Sequence, residues 1–180
     1  RDWLPMLETS SGPLGSGLSQ AVGMAVGQRM GKKDALQNYI FCMMSDGELD
    51  CGQSWEAIML AGKEKLYNLI AIVDRNNIQI DGNTEDIMPL EPLADKWKAF
   101  NWHVREIGGH DFREIVEAVD EAKAVFNRPS VIIANTIPGK GVSFMERKFE
   151  WHGKPPTQEE AEIALRELRT IEQEILEKHV

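Results

Sequence analysis

The chain has 180 residues, which suits one domain with a core of its own. Hydrophobic residues make up 42% and the formal charge is −9, so there is no basic excess to displace counterions from a nucleic acid, while a small phosphorylated ligand, which needs only local donors, stays compatible. The two cysteines, Cys42 and Cys51, make no disulfide framework, which points to a reducing, cytoplasmic compartment; there is no signal peptide and no apolar run of about 18 residues to span a bilayer.

The chain opens on Arg1 rather than methionine, and the expectation is a single domain over 1–180 that lacks its natural N-terminal segment. Residues 10–31, "SSGPLGSGLSQAVGMAVGQRMG", are rich in glycine. Gly23, Gly27 and Gly31 recur every four residues, with Ala21 and Ala25 offset from them, so on a helix they would form a narrow small-residue face that lets another helix approach closely.

Strand-length apolar runs follow at 39–44, 69–73, 102–106 and 130–136. Two of them, "YIFCMM" and "LIAIV", are nearly continuous apolar stretches, as in strands covered on both faces of a parallel sheet. Helical patterns lie between. Capping-box pairs precede three of them: Asp50 with Gln53, Asp111 with Glu114, and Thr157 with Glu160 ahead of a charged helix reaching about His179. Alternating strands and helices predict an α/β fold, a mostly parallel sheet with helices on both faces, with ligands at the carboxyl ends of the strands.

The chemistry concentrates in "FCMMSDGELDCG", where Asp46, Glu48 and Asp50 fall within five residues. Such acids repel unless something neutralises them or they point apart. A calcium loop wants glycine at its sixth position and glutamate at its twelfth; Cys51 and Ala57 stand there, so that reading fails. A plain strand-to-helix turn explains Asp50 as a cap but not Asp46. Asp46 fits a metal ligand at the sheet edge, with Gly47 allowing a tight turn; a single carboxylate is typical of magnesium sites where a diphosphate brings other oxygens. A second ligand should end the next strand, and "AIVDRNNIQIDG" supplies Asn76 and Asn77 just past Asp74. "GSGLSQA" begins like a dinucleotide fingerprint, but Gln20 holds its sixth position and no strand precedes it. His103 and His110 read as structural or exposed, His179 as solvated, Trp55 and Trp97 as core, and the acid-rich C-terminal helix as a solvated face.

The pair Ser45-Asp46-Gly47 and Asn76-Asn77 resembles the thiamine diphosphate motif. With "GPLGSGLSQAVGMAVG", "SDGELDCGQSWEAIMLAG", "LYNLIAIVDRNNIQIDG", "IPGKGVSFME" and "EWHGKPP", it stands in the order and spacing of transketolase, and the chain resembles the diphosphate-binding domain of transketolases split into two chains. The resemblance implies that Asp46, Asn76 and the carbonyl of Ile78 hold Mg2+ with diphosphate oxygens and a water. It implies that amides near Ser45 and Gly47 bind the diphosphate, that the Gly12 carbonyl accepts from the aminopyrimidine with Leu14 beside it, and that Ile80 lies near the thiazolium. His152 matches a family histidine that reaches the diphosphate and the substrate region, the catalytic residue within this chain.

Ser45 and Ser16 replace the usual glycine and glutamine, and Cys51-Gly52 stands where the family has Glu-Gly at its dimer interface. The implied function is two-carbon ketol transfer between sugar phosphates, as in the pentose phosphate pathway. It needs a pyrimidine-binding partner chain in a dimer or heterotetramer, because the glutamate that protonates the aminopyrimidine belongs to that domain. Two other readings remain: a non-catalytic or truncated assembly module, and a 1-deoxyxylulose-5-phosphate synthase-like enzyme, which ranks lower because its loop lacks "GPLG".

Overall fold

The structure is a computed structural model that describes residues 7–10, 12–31 and 38–178. Two compact units divide the chain: residues 1–75 with 90–136, and residues 76–89 with 137–180.

The first unit contains α1 (Ser16–Met30), β1 (Ile40–Ser45), a 3-10 turn (Gly47–Asp50), α2 (Gly52–Glu64) and β2 (Leu69–Arg75). After residues 76–89, which belong to the second unit and carry β3 (Ile78–Gln79), β4 (Gly82–Asn83) and α3 (Thr84–Ile87), it resumes with α4 (Leu93–Ala99), β5 (His103–Gly108), α5 (Phe112–Lys123) and β6 (Ser130–Asn135). Its sheet runs β1-β2-β6-β5 with every neighbouring pair parallel. The α/β class and the mostly parallel sheet expected from the sequence are borne out. Each strand lies close to its expected place: the first three are shifted or extended by one or two residues toward their carboxyl ends, and the last stops one residue short, at Asn135.

Alternation along β2 distributes the core. Leu69, Ala71 and Val73 face the layer built from α1, α2 and α4, with Leu18, Ala25, Ile58, Ala61 and Trp97. Ile70 faces the opposite layer, where Ala118 and Ala122 of α5 meet Ile107 and Ile132. Side chains alternate across a strand, so a run with no polar interruption is what a strand covered on both faces requires. Fully burying each isoleucine contributes about 1.5–3 kcal/mol. The β1 edge is the exception: Cys42 and Met44 are buried, while Phe41 and Met43 on the other face are 48% and 67% exposed.

Two local expectations are corrected. Of the expected small-residue face of α1, Ala21 and Ala25 are buried, together with Leu18 and Val22, whereas the space beside Gly23 and Gly27 is open and the helix ends before Gly31. The larger stripe offers more area to remove from water than a glycine face does. Likewise Asp50 does not cap α2. It closes the 3-10 turn, Cys51 takes the cap position without a side-chain hydrogen bond, and Gln53 turns instead to Ser19. The other two caps form. Asp111 accepts from the N–H groups of Arg113 and Glu114, although Glu114 reaches back to the N–H of Gly108. Thr157 and Glu160 make both halves of their box at the start of α6 (Gln158–Lys178); His179 lies outside the described residues.

In the second unit, β3 and β4 form a short antiparallel hairpin beside the 3-10 turn Phe149–Trp151. The loop before that turn is clamped to α6, because both the N–H and the hydroxyl of Ser143 donate to Glu167.

Candidate functional site

The parallel register aligns the carboxyl ends of the strands, pairing Ser45 with Asp74 and Asp74 with Ala134. The chain leaves β1 into the acid turn at this edge, and here the crowding of three acids is resolved. Asp46 is 0% exposed. Its Oδ1 accepts from the N–H of Gly47 at 2.8 Å, and its Oδ2 accepts from Nη1 of Arg75 at 2.9 Å. Glu48 points elsewhere and takes the N–H of Gly15 at 2.9 Å. Asp50 lies at the exposed end of the turn. Charge separation and a buried counter-ion together make the cluster tolerable.

Arg75 was not legible as a partner from residue spacing alone. The period of β2 puts it on the same face as Ala71 and Val73, the face onto which the acid turn folds. It is 3% exposed in its side chain and extends its second amino group to Glu91 at 3.0 Å. Glu91 in turn accepts from the N–H of Leu93 at the start of α4. Removing one member of a buried pair typically costs about 3–5 kcal/mol, because the other charge stays in a poorly solvated place.

The glycine-rich loop is fixed to this turn from the other side. Gly15 has φ 82°, in the left-handed region, and a Cβ placed on it would stand 2.8 Å from Cβ of Cys51. Glycine is therefore required twice over, by torsion and by space. Gly12 has open space around it, and Leu14 is 63% exposed. Within the turn, the N–H groups of Gly47 and Glu48 are engaged by Asp46 and by Ser45 Oγ. Burial, with Glu48's charge adding to it, pushes the Cys42 thiol up to about 11, so it sits in the strand as a small apolar side chain.

The remaining expected residues belong to the second unit. Asn76 follows Arg75 directly in the chain; its Oδ1 accepts from the N–H of Ile78 at 3.0 Å, fixing the amide's orientation. Asn77 takes φ 64°, a left-handed conformation that asparagine tolerates, and its carbonyl accepts from the N–H of Thr84. Ile78 is buried, whereas Ile80 is 74% exposed. His152 ends the turn that lies beside β4 and is exposed.

Asp46 in the first unit offers a carboxylate, and Asn76 and Ile78 in the second offer an amide oxygen and a main-chain carbonyl; each is the hard oxygen type that magnesium takes. Among the described residues, no group of three or more His, Cys, Asp or Glu gathers that could hold a metal ion by itself. No helix among them is long and apolar enough to cross a membrane.

Residues 3–173 match the family described as "Transketolase, thiamine diphosphate binding domain". The chain belongs to the transketolase family. It is 50% identical over 162 residues to the 6-deoxy-6-sulfo-D-fructose transketolase subunit SqwG of Clostridium sp. (strain MSTE9), covering 90% of this chain and 58% of that protein. It is 42% identical over 165 residues to an apulose-4-phosphate transketolase subunit from Phocaeicola vulgatus, covering 92% and 58%. Among solved structures, the transketolase of Campylobacter jejuni superposes with a TM-score of 0.79 at 37% identity, over 86% of this chain and 25% of that one. The chain thus spans 58% of the length of both transketolase subunits and a quarter of the crystallised transketolase.

Proposed function

We propose that this chain is the diphosphate-binding part of a transketolase that, with thiamine diphosphate and Mg2+, moves a two-carbon ketol unit between sugar phosphates. The family match over residues 3–173 carries the reading. Asp46, Asn76 and the carbonyl of Ile78 would hold the ion, and the amides near Ser45 and Gly47 would exchange their partners within the turn for the diphosphate. Gly12 and Leu14 would meet the aminopyrimidine, Ile80 the thiazolium, and His152 the diphosphate and the substrate.

Thiamine diphosphate, when bound, supplies the electron sink for breaking and making the C–C bond. The chain's own share is binding, orientation and exclusion of water. Leu14 and Ile80 offer exposed apolar surface to the cofactor's rings, which favours a dry site. Asn76 presents a neutral oxygen where the diphosphate already brings negative charge. His152, exposed beside a glycine, would donate a hydrogen bond to an anionic oxygen.

A pyrimidine-binding chain would complete the site, in a dimer or heterotetramer. Supporting this, both named relatives are subunits, and this chain spans 58% of each. Their names also suggest a donor class: one refers to a sulfonated ketose and the other to a phosphorylated sugar. We extend that class, a sugar with a terminal anion, to this chain.

The test is calorimetric titration of thiamine diphosphate, with and without Mg2+, into the chain alone and mixed with a candidate pyrimidine-domain chain. Magnesium-dependent binding that tightens in the mixture, and is lost in Asp46→Asn, supports the reading. Equal affinity for wild type and Asp46→Asn sinks the metal assignment.

A second reading, a non-catalytic assembly module, draws on one observation. With Arg75 on Asp46, the buried carboxylate of the acid turn is already paired with a cation of the chain itself. A folded protein that binds no cofactor alone or in the mixture would favour that module.

A further inference from the structure

Asp46 is held in two ways at once. Its Oδ1 accepts from Gly47 within its own turn, and its Oδ2 accepts from Arg75 of the neighbouring strand. Both side chains are almost wholly removed from solvent, so neither charge is satisfied by bulk water. The guanidinium is itself anchored at its other end, by Glu91, whose second oxygen takes the N–H of Leu93. Arg75 is therefore not a mobile surface cation that drifts onto a carboxylate. It is fixed by three elements: the end of β2, the acid turn, and the segment leading into α4.

We propose that Arg75 is a positioning residue for the ion site: it neutralises and aims Asp46 while no ion is bound, and it competes with an arriving divalent ion for the same carboxylate. The inference rests on Asp46 being the metal ligand proposed above. Two cations that share one buried carboxylate are thermodynamically linked, each weakening the other's hold by the same factor. Arg75 thus keeps the apo chain folded and sets an upper limit on ion affinity, so that tight binding waits for the extra negative charge of a diphosphate. Glu91 moderates the competition by drawing part of the guanidinium's charge away from the turn.

The experiment uses the wild type, Arg75→Gln, Arg75→Lys and the double variant Asp46→Asn/Arg75→Gln. Each is melted in EDTA and in Mg2+ with thiamine diphosphate, and Mg2+ is titrated by calorimetry in the presence of thiamine diphosphate. Arg75→Gln is expected to have the lowest Tm in EDTA and the largest rise on adding Mg2+ and cofactor, with Mg2+ bound about tenfold tighter than by the wild type. Arg75→Lys should keep wild-type Mg2+ affinity at a modestly lower Tm, because it keeps the charge but not the fork. The double variant should regain Tm in EDTA and lose the Mg2+ response.

Wild-type binding that depends on Mg2+ and Asp46, with unchanged Mg2+ affinity in Arg75→Gln, overturns this inference alone. No magnesium-dependent binding by the wild type overturns the ion site and the inference with it. Should Arg75→Gln not fold in EDTA, its recovery in Mg2+ with cofactor, or failure to recover, decides the same point. The lysine variant provides the control for charge.

Discussion

The backbone N–H of Gly15 donates to Oε1 of Glu48 at 2.9 Å, tying the glycine-rich loop to the acid turn 33 residues later. The bond leaves Leu14 exposed at the loop's crest while the next residue is fixed. Gly15→Ala breaks this arrangement in two ways, through its φ of 82° and through the 2.8 Å approach to Cys51. A loss of about 1–3 kcal/mol in urea denaturation is expected. Glu48→Ala should cost less stability, since Ser54 binds the Glu48 carbonyl rather than its side chain. It should weaken thiamine diphosphate binding more than it lowers Tm, because the loop loses its tether. Unchanged affinity in calorimetry would remove the loop from the binding surface.

Asp46→Ala is expected to destabilise the chain as well as to abolish magnesium-dependent cofactor binding. It leaves the Arg75 guanidinium buried, with partially exposed Glu91 as a weaker counter-charge. The loss should be about 3 kcal/mol at neutral pH. The measurement is equilibrium unfolding followed by circular dichroism in EDTA. An unfolding free energy equal to the wild type's would mean that the ion pair contributes nothing to the fold.

Much of this was legible in the residues, for identifiable reasons. "LIAIV" announces itself because a strand covered on both faces admits no polar alternation, "YIFCMM" is equally apolar although its Phe41 and Met43 face is uncovered, and Thr157 with Glu160 is readable because a reciprocal cap needs only local spacing. What could not be read was whatever depends on contacts far apart in sequence. The Arg75–Asp46 pair spans 29 residues, and nothing near Arg75 in the chain marks its partner. The Asp50 cap misled because Asp46 starts a 3-10 turn that uses Asp50 before α2 begins. The glycines of α1 misled because a small-residue stripe shows that close approach is possible, not which stripe the core selects. For the site, the roles proposed for Gly12, Ile80 and His152 come from the resemblance alone, since no spacing argument yields them.

Glycines of similar appearance should respond in opposite ways. A Cβ on Gly62 of α2 would stand 1.9 Å from the carbonyl oxygen of Phe100, a backbone atom held in place where Trp102 Nε1 donates to the Ile58 carbonyl. Neither side can yield cheaply, so Gly62→Ala should cost about 3 kcal/mol or more. Gly23→Ala meets nothing within 4 Å and should stabilise α1 by about 1 kcal/mol through helix propensity. Thermal melts of the two single variants check both signs. A neutral Gly62→Ala would show that α2 does not pack against the turn after α4.

The last helix should carry an acid-dependent element of stability. Glu160 is held below the usual carboxylate range chiefly by the N–H of Thr157, and Glu167 by the hydroxyl and then the N–H of Ser143. A depressed folded-state value means that the stabilisation is complete above the unfolded carboxylate's pKa and is lost as pH falls through the folded one. Both groups sit at the surface, so each effect is small and weakens further with salt. Lowering the pH from neutral should therefore loosen the α6 start and the Ser143 clamp only on the acid side of the normal glutamate range. Far-UV circular dichroism against pH, compared between wild type, Glu160→Gln and Glu167→Gln, provides the check. Each variant should begin less stable at neutral pH and show a shallower acid limb. Parallel limbs for all three proteins would mean that other carboxylates govern the acid response, and that the capping box of α6 adds nothing that depends on its charge.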